Sequence, residues 1–298
     1  MNTASPADAS RDSASADAAH MDIQAALTFI VPQTEKPYFE SAALTGGEPK
    51  VHFKTEARSV TIRNMRERAD DLSLDTHGFK LLSSPTRVVD LYDDAEVLST
   101  YQAELQALLT QATGADRAII FDATRRSDAP QGAANPDGQR GPADRVHVDY
   151  TVLSGPKRAR DALGDAEVDR VLASGGRIAQ INVWRPISGP VKRTPLALAD
   201  AQSISAAERV ATEQRFPDRV GEIYQIAYGA QQRWYWAPEM SRDEVILIKG
   251  WDSLDDGRAR FAPHGAFQLP HQDPHAPSRE SIEVRTYVIF EHDNANAA

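Results

Sequence analysis

Two histidines and one aspartate are the residues of this sequence best suited to binding a metal ion. His147 and Asp149 form an H-x-D triplet, and His264 follows far downstream. Residues two apart on a strand project to the same face, so His147 and Asp149 can hold one ion between an imidazole and a carboxylate. Two nitrogens and one oxygen, with the other coordination positions open, are typical of non-haem ferrous iron that also binds a co-substrate and dioxygen. The pattern predicts an iron site, against the alternative of a hydrogen-bonded His–Asp pair.

A second group of polar side chains shares one face of the predicted last strand. Arg279, Ser281, Glu283 and Arg285 have the same parity, and apolar residues alternate with them. An arginine followed two residues later by a serine can hold a carboxylate by a bidentate fork and a hydroxyl hydrogen bond. This arrangement suits the distal carboxylate of 2-oxoglutarate. The alternative is a solvated face on which Glu283 pairs with its neighbouring arginines.

The composition limits the class of protein. The 298 residues, 41% of them hydrophobic, are enough for one large domain. The net charge of −10 disfavours binding to nucleic acid or to an anionic membrane. There is no cysteine, which excludes disulfides, thiolate metal sites and cysteine nucleophiles. No apolar run is long enough to cross a bilayer.

The first residues differ in composition from the rest of the chain. Residues 1–24 are rich in Ala, Ser and Asp, and their aspartates interrupt the apolar core that a signal peptide needs. We expect a disordered N-terminal segment, a cytoplasmic protein and a single domain over residues 25–298.

The hydrophobic pattern predicts many short strands, with helices concentrated in the first half. Helices are expected from residue 93 or 94 to 114, over 157–173 and, as a short polar helix, over 205–215. A long loop rich in Pro and Gly, residues 125–144, precedes the H-x-D strand, and it is either a mobile lid or a plain connection. The predicted strands are 51–54, 59–62, 117–122, 177–185, 195–199, 222–228, 233–236, 245–251 and 281–290. The expected fold is mainly β with flanking helices, a double-stranded β-helix of the jelly-roll or cupin type.

Several sequence strings make the chain resemble a known family. The order H-x-D, distal His, R-x-S resembles the Fe(II)/2-oxoglutarate-dependent dioxygenase superfamily. More narrowly, the chain is similar to the hydroxylase/desaturase family of natural-product biosynthesis that includes the cephalosporin hydroxylase subunit. The strings that carry this narrower likeness lie between about residues 50 and 290: KTEAR (54–58), DTHGF (75–79), NVWRP (182–186), FPDRVGE (216–222), RWY (233–235), LIK (247–249), APH (262–264) and RESIEVR (279–285).

The resemblance implies a role for each site residue. The implied iron ligands are His147, Asp149 and His264. Arg279 with Ser281 is the implied clamp for 2-oxoglutarate. Because Arg279 follows His264 at a longer spacing than in plant-type members of the superfamily, Arg285 is the alternative clamp. Asn182 lies on the strand after the metal pair and is expected either to approach the iron-bound end of 2-oxoglutarate or to satisfy a local hydrogen bond.

The implied reaction uses Fe(II), 2-oxoglutarate and O2, gives succinate and CO2, and hydroxylates or desaturates a small organic metabolite. Two other functions remain open at this stage. One is a metal-dependent hydrolase or isomerase on the same three ligands. The other is a catalytically silent jelly roll that acts as a binding module or partner subunit, and a homo-oligomer is also possible.

Overall fold

Strands dominate the computed structural model, which describes residues 22–46, 49–136 and 138–291. Most of the predicted N-terminal segment, residues 1–21, therefore lies outside the described residues. Ile23 and Gln24, placed before the domain by the sequence analysis, belong to the first strand, β1. No helix in the described part of the chain is long and apolar enough to span a membrane.

The larger sheet contains ten strands in the order β1-β4-β14-β11-β16-β9-β13-β12-β2-β3. Its short central strands bring distant parts of the chain together, because β11, β16 and β9 lie side by side. The strands of this sheet are β1 (Ile23–Ile30), β2 (Tyr38–Glu40), β3 (Lys50–Val51), β4 (Thr55–Asn64), β9 (His147–Val148), β11 (Leu196–Ala199), β12 (Arg209–Arg215), β13 (Val220–Ile226), β14 (Trp234–Trp236) and β16 (His264–Ala266).

The smaller sheet is antiparallel, with the order β5-β15-β10-β17-β6. Its strands are β5 (Phe79–Ser83), β6 (Arg117–Ser127), β10 (Arg177–Pro186), β15 (Glu244–Asp252) and β17 (Glu280–Phe290). Apolar residues of this sheet, such as Trp184 and Ile248, pack against Leu198 and Tyr235 of the larger sheet. The two sheets thus enclose a shared core, as the jelly-roll prediction requires.

Helices cover the outer face of the smaller sheet. The predicted helix from 93 or 94 to 114 is confirmed as α2 (Asp94–Glu96), a π-helical segment (Val97–Tyr101) and α3 (Gln102–Thr113). The Asp93 side chain caps its start, and Gly114, with φ of 73°, ends it in the left-handed conformation. Leu105 and Leu109 of α3 pack on alternate residues of β10 and β17, including Val183 and Val284.

Two predicted helices are corrected. The helix expected over 157–173 is two helices, α4 (Ser154–Leu163) and α5 (Asp165–Ala173), because Gly164 between them has φ of 86°. A four-residue helix, α1 (Ala42–Thr45), was not predicted. The polar helix over 205–215 is wrong: after one 3-10 turn the chain forms β12, which pairs with β13 and β2. Sheet pairing on both sides overrides the weak local helix preference of these residues.

The long connection before the H-x-D strand is shorter and more ordered than predicted. Strand β6 continues to Ser127, five residues beyond its predicted end. The remainder contains the two-stranded hairpin β7 (Ala133–Asn135) and β8 (Gly138–Arg140). We call residues 128–144 the hairpin loop.

Candidate active site

The structure brings the three predicted metal ligands together at the centre of the larger sheet. His147 of β9 pairs directly with His264 of β16, and Asp149 follows β9 by one residue. One ligand atom from each of His147, Asp149 and His264 lies within 4.8 Å of the others. The spacing of two residues between His147 and Asp149 puts both on the inner side of the sheet, as the sequence predicts.

Backbone carbonyls fix the tautomer of both imidazoles. Nδ1 of His147 lies 2.8 Å from the carbonyl oxygen of Arg145, and Nδ1 of His264 lies 3.0 Å from that of Ala262. A carbonyl oxygen only accepts, so each Nδ1 carries the proton and each Nε2 keeps a free lone pair. Burial, and then the neighbouring His147 ring, lower the pKa of His264. Both effects keep the His264 ring neutral, which is the form that binds a metal.

One oxygen of Asp149 is held by its neighbours, and the other has no hydrogen-bond donor from Asn182 or Arg285 and faces His147. Oδ2 accepts hydrogen bonds from Nδ2 of Asn182 at 2.8 Å and from Nε of Arg285 at 3.2 Å. Oδ1 faces Nε2 of His147 at 3.5 Å. Burial alone would raise the pKa of Asp149, but the Arg285 charge and the His147 contact outweigh it and hold that pKa well below its usual value. The carboxylate is therefore ionised and oriented.

Arg285, the alternative clamp residue, is saturated with protein partners. Besides Asp149, its guanidinium donates to Asp122 at 2.6 Å, to Thr124 at 3.1 Å and to Glu283 at 2.8 Å. Burial lowers the pKa of Arg285, but the surrounding carboxylates raise it well above the usual value. Each of its three nitrogens thus donates to a protein group, and Arg285 is the counter-charge of Asp149, the predicted metal ligand.

The Arg279 guanidinium, in contrast, is buried without an ion-paired carboxylate among the described residues, and the charges of Asp128 and Glu283 only partly offset its burial. Its residue is 2% exposed, and its Nε and Nη2 have no hydrogen-bond partner. Nη1 donates to Oγ of Ser281 at 3.3 Å, and the guanidinium lies 5.8 Å from the Trp184 ring. Burial, followed by the charge of Arg126, lowers the pKa of Arg279 to about 10. No described carboxylate forms an ion pair with the Arg279 guanidinium. Its Nε and Nη2 are therefore free to donate hydrogen bonds to an anionic ligand.

Asn182 is engaged at both ends of its amide. While Nδ2 donates to Asp149, Oδ1 accepts from Nε2 of Gln180 at 2.6 Å. These contacts orient the carboxylate of Asp149, and the co-substrate contact suggested for Asn182 stays a prediction. Arg185, three residues further along β10, lies on the opposite face, where its Nε donates to the Tyr101 hydroxyl on the helical side, as strand parity predicts.

The polar residues of β6 were not among the predicted site residues. Asp122, Thr124 and Arg126 alternate along this strand and pair with Arg285, Glu283 and Ser281 of β17. Their period of two was visible in the sequence, but the strand was predicted to end at residue 122. The missed signal was the continuation of the polar alternation beyond that point.

The site thus combines two preformed parts. Two imidazole nitrogens and one carboxylate oxygen match the donor set of a non-haem Fe(II) centre with open coordination positions. The unpaired Arg279 fits the distal carboxylate of a dicarboxylic co-substrate. The residues present therefore fit both Fe(II) and 2-oxoglutarate.

Comparison with known proteins agrees with this chemistry. A family model described as "Oxidoreductase/YMDC permease-like domain" matches residues 27–289. The hydroxylase/desaturase efuI of Hormonema carpetanum is 31% identical over 269 residues, which are 83% of this chain and 88% of that protein. The Fe(II)/2-oxoglutarate-dependent dioxygenase nvfI of Aspergillus novofumigatus is 30% identical over 273 residues, 88% of this chain and 95% of that protein.

A solved structure shows the same fold. The iron and alpha-ketoglutarate-dependent endoperoxidase NvfI superposes with a TM-score of 0.79 at 26% identity, covering 90% of this chain and 98% of that one. These relatives support the oxygenase prediction and the jelly-roll prediction, and they do not support the hydrolase or the silent subunit. Because the match extends over most of both chains in sequence and in fold, the chain belongs to the Fe(II)/2-oxoglutarate-dependent dioxygenases, enzymes whose cofactor is Fe(II) and whose co-substrates are 2-oxoglutarate and O2.

Proposed function

We propose that His147, Asp149 and His264 hold Fe(II) in an oxygenase that hydroxylates or desaturates a small organic metabolite. The observation that carries the proposal is the convergence of these three ligand atoms within 4.8 Å, together with a buried arginine, Arg279, whose Nε and Nη2 have no hydrogen-bond partner. When bound, iron with 2-oxoglutarate supplies the oxidant for a C–H bond and releases succinate and CO2.

The protein's own contribution is to orient the ligands before the metal arrives. The Arg145 and Ala262 carbonyls hold the Nδ1 protons of the two histidines, so both Nε2 atoms are available. Asn182 and Arg285 occupy Oδ2 of Asp149, which leaves Oδ1 as the binding atom. In this proposal Arg285 and Asn182 are positioning residues, and the co-substrate carboxylate belongs to Arg279 and Ser281.

The geometry favours Arg279 over Arg285 as the clamp. Arg285 would have to give up contacts to Asp122, Glu283 or Asp149 to hold a ligand. Arg279 has two buried donors without partners and has Ser281 beside it. Filling those donors with a carboxylate removes the cost of an unpaired buried cation.

A cavity beside the hairpin loop suits a small substrate. It has a volume of about 640 Å3 and reaches Ala266, which shares a strand face with His264 two residues earlier. Its described lining includes Asp128 and Asp144 and no lysine or arginine, which favours an uncharged molecule over an anionic one. A cytoplasmic location and a second copy or partner subunit remain predictions of the sequence.

The test compares metal binding and co-substrate turnover in matched histidine variants. His147→Ala and His264→Ala should each lose Fe(II), measured by metal analysis after anaerobic gel filtration, and should form no succinate from 2-oxoglutarate. His52→Ala is the control, because His52 lies on the surface and pairs with Glu40. Full iron content in both site variants would contradict the proposed ligands, and zinc-dependent turnover without 2-oxoglutarate would favour the hydrolase.

A further inference from the structure

Arg126 of β6 lies next to the residues proposed to hold the co-substrate carboxylate. In the antiparallel pair of β6 and β17, Arg126 is directly opposite Ser281. Residues opposite each other in such a pair have side chains on the same face with Cβ atoms about 5 Å apart. Arg126 therefore projects into the cleft beside Ser281 and Arg279.

The Arg126 guanidinium has no carboxylate partner among the described residues. Its one hydrogen bond within that part of the chain goes from Nη1 to the carbonyl oxygen of Gly141 at 2.9 Å. The charge of Arg126 is also the largest influence, after burial, that lowers the pKa of Arg279. The two guanidinium charges therefore act on one another, and no described carboxylate forms a hydrogen bond or ion pair with the guanidinium of either arginine, although the charge of Glu283 acts on both.

The nearest acidic residues are committed elsewhere. Asp128 accepts from the backbone N–H of Arg279 at 2.8 Å, and its second oxygen accepts from Arg193 and Thr194. Glu283 is bound by Arg285 at 2.8 Å. This end of the cleft consequently has an excess of positive charge. Because it is buried, the effective dielectric is lower than in water and like charges repel more strongly.

We propose that Arg126 is a second cation of the co-substrate site, so that the distal carboxylate lies between Arg126 and Arg279 with Ser281 between them. The inference rests on the proposed function of Arg279. A carboxylate offers two oxygens and about four lone-pair directions, which is enough for two guanidinium groups and a hydroxyl. The pair of arginines selects a dianionic 2-oxo acid over one that lacks the second carboxylate.

The test uses two 2-oxo acids that chelate iron in the same way. 2-Oxoglutarate carries the distal carboxylate, and 2-oxopentanoate replaces it with a methyl group. Each is titrated calorimetrically, without oxygen, into the Fe(II)-loaded wild type and into Arg126→Gln. We expect Arg126→Gln to lower the affinity for 2-oxoglutarate about 10-fold or more and to leave that for 2-oxopentanoate unchanged.

Two more variants secure the interpretation. Arg126→Lys keeps a cation and should recover part of the preference for 2-oxoglutarate, which a merely structural role in holding Gly141 would not produce. Arg215→Gln is the matched control, because Arg215 is a half-buried strand arginine of β12 that stacks on Tyr38. It should leave both affinities at the wild-type values.

The outcomes separate this inference from the proposed function. If the wild type prefers 2-oxoglutarate and Arg126→Gln retains the full preference, Arg126 is not part of the site while Arg279 can be. If the wild type binds both acids equally or binds neither, the proposed function fails together with the inference. A loss of affinity for both acids in Arg126→Gln would also overturn the inference, because it indicates damage to the metal site.

Discussion

Replacing Arg279 by methionine should have opposite effects on the stability of the ligand-free protein and on co-substrate binding. Methionine keeps an unbranched side chain that can pack against Trp184, and it removes the buried charge. Burial, followed by the charge of Arg126, lowers the pKa of Arg279 from the ordinary arginine value to about 10, and each unit corresponds to about 1.4 kcal/mol, so the charged side chain destabilises the ligand-free fold by about 3 kcal/mol. The variant regains this free energy.

Some of that gain is offset. The contact between the guanidinium and the Trp184 ring contributes about 0.5–2 kcal/mol, and this is lost with the charge. We expect the free energy of unfolding to rise by about 1–2 kcal/mol, which corresponds to an increase in Tm of about 2–4 °C. Because Arg279 is protonated in the folded and unfolded chain below about pH 10, the gain should be constant from about pH 6 to about pH 9 and disappear only at higher pH.

Co-substrate binding should change in the other direction. Loss of one partner of a buried charged pair costs about 2–5 kcal/mol, so the affinity for 2-oxoglutarate should fall by about 30-fold or more. Thermal unfolding and anaerobic calorimetry measure the two quantities on the same preparation. The affinity for Fe(II) should be unchanged, because Arg279 makes no contact with the three metal ligands in the described structure.

Arg185→Met is the matched control on a neighbouring strand. Arg185 is as buried as Arg279, but its donors reach Tyr101, Ser84 and the carbonyl of Arg242. Its removal leaves those groups without a partner and should lower stability by about 3 kcal/mol. If Arg279→Met destabilises the protein as much as Arg185→Met does, Arg279 is not an unpaired buried charge. If the variant binds 2-oxoglutarate with wild-type affinity, Arg279 does not hold its carboxylate.

Three further predictions concern positioning and stability. Asn182→Leu should weaken Fe(II) binding about 10- to 100-fold in anaerobic titrations, because it frees one oxygen of the metal-binding carboxylate; unchanged affinity would remove its positioning role. Lys249→Met should lower the free energy of unfolding, measured by urea denaturation, by about 2 kcal/mol. This is less than the roughly 3–5 kcal/mol lost when an isolated buried ion pair is broken, because Asp252 keeps Arg177 as a partner. Burial raises the pKa of Asp75, but Arg177 and Lys249 outweigh it and lower that pKa to about 2. Because the Asp75 side chain is half-exposed, we expect Asp75→Asn to lower the free energy of unfolding by only about 1 kcal/mol at neutral pH. That difference should persist above the unfolded pKa of about 4 and vanish as the pH falls through 2; a difference still present below pH 2 would contradict the ion-pair origin.

The sequence predicts the strands and the metal ligands because those depend on local patterns. Short runs rich in β-branched and other apolar residues predict β10, β15 and β17, which are buried on both faces, and the structure confirms these strands. The H-x-D spacing places His147 and Asp149 on one face because residues two apart on a strand project to the same side. The choice of His264 as third ligand needed the resemblance to a family, since nothing local distinguishes it from other histidines.

The errors arise where distant partners decide the structure. Residues 209–215 form β12 because β13 and β2 flank them, and neither pairing can be read from the residues themselves. The break between α4 and α5 depends on one glycine, Gly164, which tolerates a positive φ. Strand β6 was predicted too short because the polar residues after 122 face a cleft and resemble a loop in composition.

Arg279, which immediately precedes β17, and Arg285 within it show most clearly what sequence alone could not decide. Arg279 and Arg285 have the same residue type, share one strand face and lie at the same interface, so the sequence left both as clamps. Their difference comes from the opposite strand and from loops: Asp122 and Asp149 saturate Arg285, whereas Arg279 meets a second cation, Arg126. A guanidinium whose three nitrogens all donate to protein groups, like that of Arg285, holds those groups in position. A buried guanidinium with donors that have no partner, like that of Arg279, is stabilised when an anion binds to it. The different roles proposed for Arg279 and Arg285 therefore follow from the number of hydrogen-bond partners that each has. Removing the charge at position 126 or 279 should weaken co-substrate binding, whereas removing it at position 285 should weaken metal binding.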